Sequence, residues 1–191
     1  MNSAIVVTGT PGTGKTTFSK LLSERIGVRH IELSAYALER GHILERDAER
    51  DTSVVDVEAL RDDVLKMLDV ETLILDGHYA HELTSPGSTR RVFVLRRAPW
   101  TLRGELRGRG YSPGKTWENV DAELLAVCLS EALERFPPGK VCELDTTGAQ
   151  PQETLKMGLV ALERGGCPGA YTDWVSRPET DELLRVRPCI L

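Results

Sequence analysis

A chain of 191 residues, 40% hydrophobic and 28% charged, has the material for one core and too little for two full domains. Its formal net charge of -5 gives no basic field for nucleic acid, so direct sequence-specific DNA binding is not expected. No apolar run approaches the roughly 18 residues of a membrane span, and no basic segment precedes a hydrophobic one at the N-terminus, so a cytoplasmic location is the expectation.

Short apolar runs at 4–8, 28–33, 72–75, 91–95 and 140–144 do not alternate strictly, which is how strands covered on both faces read. Helical patterns fill the gaps. The first starts near Gly14 or Lys15, puts Phe18, Leu21, Leu22 and Ile26 on one face, and ends at Gly27. The segment 34–56 is dense in charge (Glu39, Arg40, Glu45, Arg46, Asp47, Glu49, Arg50, Asp51), with a short helix predicted over 35–40. It reads either as a cover for a second nucleotide or as a surface excursion. Asp56 is placed to cap a helix over 57–68 lined by Leu60, Val64 and Met67. A longer helix is predicted from Thr116 or Glu118 to Phe136, with Val120, Leu124, Cys128 and Ala132 in register and Pro137-Pro138 as its stop. A last helix is predicted over 151–164, ending at Gly165-Gly166. Beyond it, 167–169 reads as a turn, 171–175 as a short helix or strand, and the chain from Ser176 as a solvated end or as a partner-binding tail, with Arg177, Arg185 and Arg187. Alternation of strand and helix predicts an α/β fold with three layers, α/β/α, around a mostly parallel five-stranded sheet. Cys128, Cys142, Cys167 and Cys189 show no metal-ligand spacing. Cys128 reads as core, and no disulfide is expected in a reducing compartment.

Gly9-Thr10-Pro11-Gly12-Thr13-Gly14-Lys15-Thr16 fills every fixed position of G-x-x-x-x-G-K-[ST], with an apolar strand entering and an amphipathic helix leaving. A polyphosphate needs many donors in a small concavity. Backbone N–H groups of a tight glycine loop supply them, and the next helix adds its free N–H groups and its dipole. The expected nucleotide contacts are Gly12, Thr13, Gly14, Lys15, Thr16 and Thr17. Lys15 neutralises charge between the β and γ phosphates, Thr16 ligates magnesium, and Thr17 touches the α phosphate. The pattern predicts ATP and Mg2+ as the bound pair on a P-loop nucleoside triphosphate hydrolase fold.

The run Leu73-Ile74-Leu75 ends in Asp76, which at the ligand edge of a parallel sheet is the candidate for the magnesium shell; a capping role is the alternative. His78 follows, to position a water or sense the γ phosphate. His81 reads as a surface residue, and His30 and His42 carry no role. Arg96, Arg97, Arg103, Arg107, Arg109 and Lys115 read either as a solvated basic helix and turn or as a cover over bound nucleotide, with Gly110, Pro113 and Gly114 allowing a short mobile loop.

The ordered set Asp51-Thr52-Ser53-Val54-Val55-Asp56, Asp76-Gly77-His78, Val92-Phe93-Val94-Leu95-Arg96 and Arg109-Gly110-Tyr111 followed by Lys115, Asn119 and Glu123 resembles the archaeal and eukaryotic adenylate kinase 6 family over about residues 4–165. The resemblance implies a nucleoside monophosphate kinase type of domain over 1–166, with an acceptor-binding insertion near 34–56, a short lid near 108–118 in which Arg109 touches the donor nucleotide, and a C-terminal extension over 167–191. It implies Lys15, Asp76, His78 and Arg109 as catalytic residues, Thr16 and Asp76 as metal ligands, and AMP or another monophosphate as acceptor. It also implies slow ATP hydrolysis, and a part in late maturation of the small ribosomal subunit through transient contact with a platform protein of the pre-ribosomal particle. Two departures stand out. Glu105 occupies the place where the family often carries an arginine ahead of the leucine that is here Leu106, and Ser34-Ala35 stands where an acid is common. Gluconate and shikimate type kinases share such a donor site and remain an alternative, as does a nucleotide-switched assembly module.

Overall fold

The structure, a computed structural model, describes residues 2–47, 52–165, 167 and 171–187. Glu49, Arg50, Asp51, Gly166 and Cys189 lie outside the described residues. Five strands form one parallel sheet in the order β2-β5-β1-β6-β7: β1 (Ala4–Thr8), β2 (Arg29–Glu32), β5 (Leu73–Asp76), β6 (Thr89–Arg96) and β7 (Val141–Asp145). Every residue of β1 and β5 is buried, as expected of strands covered on both faces. One face carries Ala4, Val6, Leu73, Leu75, Val92 and Val94 against α2 (Leu33–Arg40), α3 (Val57–Val70) and α6 (Val127–Arg135). The other carries Ile5, Val7, Ile74, Phe93 and Leu95 against α1 (Lys15–Ile26) and α7 (Pro151–Arg164). The three-layer α/β prediction holds. On the second face Gly158 of α7 packs so closely on Phe18 that a β-carbon there would come within 2.6 Å of the ring.

Local signals place most boundaries. Gly27 ends α1 in the left-handed region at φ 66°, and Asp56 Oδ1 accepts from the Ala59 amide at 3.0 Å to cap α3. Over its described residues the charged insertion is mostly regular structure. It holds α2 and an antiparallel hairpin, β3 (Ile43–Asp47) with β4 (Thr52–Val55).

Three expectations are corrected. The long helix is two, α5 (Pro113–Leu124) and α6, broken at Leu125-Ala126, where Ala126 has φ 55°. The cause is the Glu123 carbonyl. A continuous helix would pair it with the Val127 amide, but Arg96 Nη2 at 2.9 Å and the Ala126 amide at 3.1 Å both converge on it. The tail from Ser176 is not a solvated end, because α8 (Pro178–Arg185) folds back on α4 (Pro99–Gly108) and α5; ahead of it, 171–175 form neither helix nor strand, although Trp174 is buried. Finally, Cys142 and Cys167 are joined as a disulfide with Cα atoms 5.2 Å apart, tying the chain after α7 to β7. Among the described residues no helix is long and apolar enough to cross a membrane.

Candidate functional site

β1 is the middle strand, and the chain leaves its C-terminal end between β5 and β6. That is a topological switch point, where open α/β sheets hold ligands. The loop from Gly9 to Lys15 lies there. Gly9 has φ 140°, and a β-carbon on it would run into the Leu95 carbonyl oxygen. Gly14, at φ 95°, is the N-cap of α1, and the space its side chain would take is open. The N-terminal end of α1 therefore borders open space, with Thr13, Gly14 and Thr17 lining a cavity. The Thr10 carbonyl accepts from Lys15 Nζ at 3.1 Å, Thr13 Oγ1 at 2.9 Å and the Thr13 amide at 3.3 Å. Burial lowers the Lys15 pKa below the usual lysine range, while the nearby carboxylate of Asp76 pulls the other way. Thr16 is half-buried and Thr17 exposed in the first turn of α1.

Asp76 ends β5 level with Val7, two residues before the loop begins. Its side chain is buried, and Oδ2 lies 3.3 Å from His30 Nε2. His30, given no role from sequence, is thus a neighbour of this carboxylate from the adjacent strand β2. Thr16 and Asp76 together offer a hydroxyl and a carboxylate, the hard oxygen donors magnesium takes. Among the described residues no group of three or more His, Cys, Asp or Glu is arranged to hold a metal alone. Magnesium commonly completes its shell with phosphate oxygens and water, so this sparse donor set suits it.

His78 lies in the turn after β5 and is exposed. Crowding by the surrounding protein, then the charges of Lys15 and Lys115, bring its pKa down to about 4. The imidazole is therefore neutral at pH 7. His81 is buried instead of lying at the surface. Thr8 Oγ1 donates to the His78 carbonyl at 2.8 Å and sits 3.1 Å from His81 Nδ1, while His81 Nε2 lies 3.2 Å from Glu131 Oε2. Desolvation, aided by Arg135 and His78, lowers the His81 pKa from 6.5 to about 4. Charging it thus opposes folding. Stability is complete above pH 6.5 and falls as the pH drops toward 4. In urea unfolding, wild type is expected to lose about 2–3 kcal/mol more between pH 7 and 4.5 than a His81→Asn variant does.

A cavity of about 160 Å³ beside the loop is lined by Thr13, Gly14, Thr17, Arg97, Arg109 and Thr146, among others. Arg109 caps α4 and is exposed, and Gly110 turns the chain back at φ 82°. The structure brings Lys15, Thr16 and Thr17 together with Asp76, His78 and Arg109 on one edge of the sheet. It separates off Arg96, whose side chain is buried in an ion pair with Glu123 at 2.5 Å.

Arg97, one of the arginines expected as a cover over nucleotide, does line the cavity, while Thr146 and the part Glu123 plays were not expected. Arg97 reaches the cavity, held by Thr146 Oγ1 at 3.1 Å and by the Glu105 carboxylate. Glu105, the departure noted above, is thus the partner of a cavity arginine. Thr146 follows β7 directly, one place beyond Asp145, the residue the strand-end rule that selected Asp76 would pick. Nothing in spacing marks Glu123, a buried acid within an amphipathic helix.

The AAA domain family, AAA_18, matches residues 5–126. The chain is 41% identical over 163 residues to a Thermococcus kodakarensis protein named "Putative adenylate kinase", covering 84% of this chain and 86% of that one. It is 36% identical over 174 residues to a Methanocaldococcus jannaschii protein of the same name, covering 91% and 93%. Among solved structures, shikimate kinase from Bacteroides thetaiotaomicron superposes with a TM-score of 0.58 at 19% identity, over 85% of this chain and 98% of that one, a likeness of fold. On the strength of the phosphate loop, the sheet order and these matches, the chain belongs to the AAA-domain P-loop family, alongside the archaeal proteins that bear the adenylate kinase name.

Proposed function

We propose that the chain is a nucleoside monophosphate kinase that moves the γ phosphoryl group of ATP to AMP, giving two ADP. The observation that carries this reading is the convergence of Lys15, the open helix N-terminus at Gly14, and Asp76 at the switch point of the sheet. The names of the relatives supply the reaction class. In this reading the loop amides and Lys15 bind and neutralise the triphosphate, and Arg109 and Arg97 close on the donor from the cavity side. An oxygen of the acceptor phosphate bonds to the γ phosphorus as the β–γ bridging P–O bond breaks. Thr16 and Asp76 hold Mg2+, which supplies positive charge to the phosphate oxygens. No strong base is required, because positioning and electrostatics carry phosphoryl transfer. The hairpin and α2 in the 34–56 insertion form the acceptor side, and residues 108–118 form the lid.

The resemblance to the adenylate kinase 6 family carries the finer assignment: membership of that family, ATP hydrolysis as a side activity, and action on the small ribosomal subunit through a platform protein. The exposed, neutral His78 beside Lys15 and Lys115 favours the hydrolysis, since it is placed to orient water. Magnesium ATP with a panel of monophosphates tests the main reading. ADP formation with AMP is expected at least about tenfold above the AMP-free rate, a modest share of what transition-state positioning supplies. No gain with any monophosphate would overturn it and leave hydrolysis alone.

A further inference from the structure

Glu123 sits where four parts of the chain meet. Its side chain is buried. Oε2 accepts from Thr10 Oγ1 of the phosphate loop at 2.6 Å. Oε1 accepts from Arg96 Nε at 2.5 Å, from the Arg97 amide at 3.1 Å and from the indole N–H of Trp174 at 3.3 Å. Burial pushes this carboxyl up in pKa, while Arg96 and the hydrogen bonds from Thr10 and the Arg97 amide pull it back. Trp174 belongs to the C-terminal extension. Its ring packs edge-on to Trp100 of α4, centroids 5.6 Å apart, and lies 5.9 Å from the Arg96 guanidinium. Two residues before it, the Thr172 amide donates to both oxygens of Glu143, which in turn lies 3.8 Å from Arg96. Further along, Leu183 of α8 packs with Trp117 and Val120 of α5, and Arg187 Nη2 reaches Asp121 at 2.6 Å. The extension therefore grips both α4 and α5, the helices that the proposed lid joins and runs into.

On the loop side, Thr10 is the residue whose carbonyl receives Lys15 Nζ and both Thr13 donors. A continuous set of hydrogen bonds thus runs Trp174, Glu123, Thr10, Lys15. Thr10 uses its hydroxyl toward Glu123 and its carbonyl toward Lys15, so displacing its side chain turns the carbonyl that the lysine rests on. The carboxylate receives donors only, and no sheet or helix hydrogen bond needs it there. A glutamate is costly in such a place unless all its partners stay in position. The arrangement therefore ties the state of the extension to the shape of the loop.

We propose that Glu123 is a positioning residue for the phosphate loop and that Trp174 holds it in place, so that the C-terminal extension sets the geometry of Lys15. This rests on the donor-site reading above only for its effect on ATP; the coupling itself is a property of the free protein. Trp174→Phe keeps the aromatic packing and removes the N–H. Glu123→Gln keeps the shape but turns an amide N–H2 toward a ring of donors. Amide hydrogen exchange on the full chain reads the Thr13 N–H, which reports on Thr10 directly.

The Thr13 amide is expected to exchange about tenfold faster in Trp174→Phe, and faster still in Glu123→Gln, as befits hydrogen bonds to a charged group. Amides of Val6 and Leu75 in the sheet are expected to keep their wild-type protection. In the same variants KM for ATP is expected to rise about fivefold with a smaller change in kcat, and Glu123→Asp is expected to recover less than half of the Glu123→Gln loss, since one methylene fewer cannot reach both Thr10 and Trp174. Unchanged Thr13 exchange in both folded variants would overturn the proposal. So would equal acceleration in loop and sheet, which would make Trp174 a general anchor of the fold. A wild-type protein that fails to bind ATP would overturn the donor-site reading, and the exchange measurement would still decide the coupling.

Discussion

Lys15→Ala is expected to lower both phosphoryl transfer and hydrolysis by at least about a hundredfold, the scale of removing one preorganised charge from a transition state. Its melting temperature is expected to stay level or rise. The reason is the cost of the native arrangement. Burial holds the Lys15 pKa below the usual lysine range, so the charged form is disfavoured in the folded chain. Its hydrogen bond to the Thr10 carbonyl at 3.1 Å repays part of that cost, and Thr13 still satisfies the carbonyl when the lysine is gone. Steady-state rates with magnesium ATP, with and without AMP, and a thermal melt check the two halves. Retained activity would place the chemistry elsewhere; a collapse of the melt would mean the loop needs the lysine to fold.

Glu123→Ala is expected to have the largest effect on stability, about 3–5 kcal/mol, or about 10 °C in melting temperature for a chain of this size. The substitution leaves the buried Arg96 guanidinium beside a cavity with Glu143 at 3.8 Å as its remaining carboxylate. It also strips partners from Thr10 Oγ1, the Arg97 amide and Trp174 Nε1 together. Adding Arg96→Met is expected to recover more than half of the loss, because much of it is an unpaired charge rather than a missing contact. Urea unfolding of the two single variants and the double variant measures this. Additive losses would show that the pair does not act as a unit.

The α/β layers were legible because buried parallel strands and amphipathic helices leave direct marks in the sequence: non-alternating apolar runs, Gly27 after α1, Asp56 before α3. The phosphate loop was legible because its chemistry needs glycines and a lysine at fixed spacing. Asp76 followed from its place at a strand end. The two-helix break was not legible, since the apolar register of Val120, Leu124, Cys128 and Ala132 runs through it, and its cause is Arg96, distant in sequence. Arg96 and Arg97 show the same limit. Adjacent and alike at the end of β6, they diverge, one into an ion pair with Glu123 and the other toward the cavity with Glu105. His81 read as exposed because its partners, Thr8 and Glu131, come from a strand and a helix far along the chain.

The chain's three tryptophans have an optical consequence. Trp100, Trp117 and Trp174 all lie in the corner made by α4, α5 and the C-terminal extension, and none is on the sheet. Tryptophan emission, excited apart from the tyrosines, therefore has no reporter on the β2 flank. Circular dichroism weighs every helix alike. If this corner lets go before the sheet, the two signals part company along a denaturant series, and a single-transition fit to fluorescence alone would record the departure of the corner as the stability of the whole.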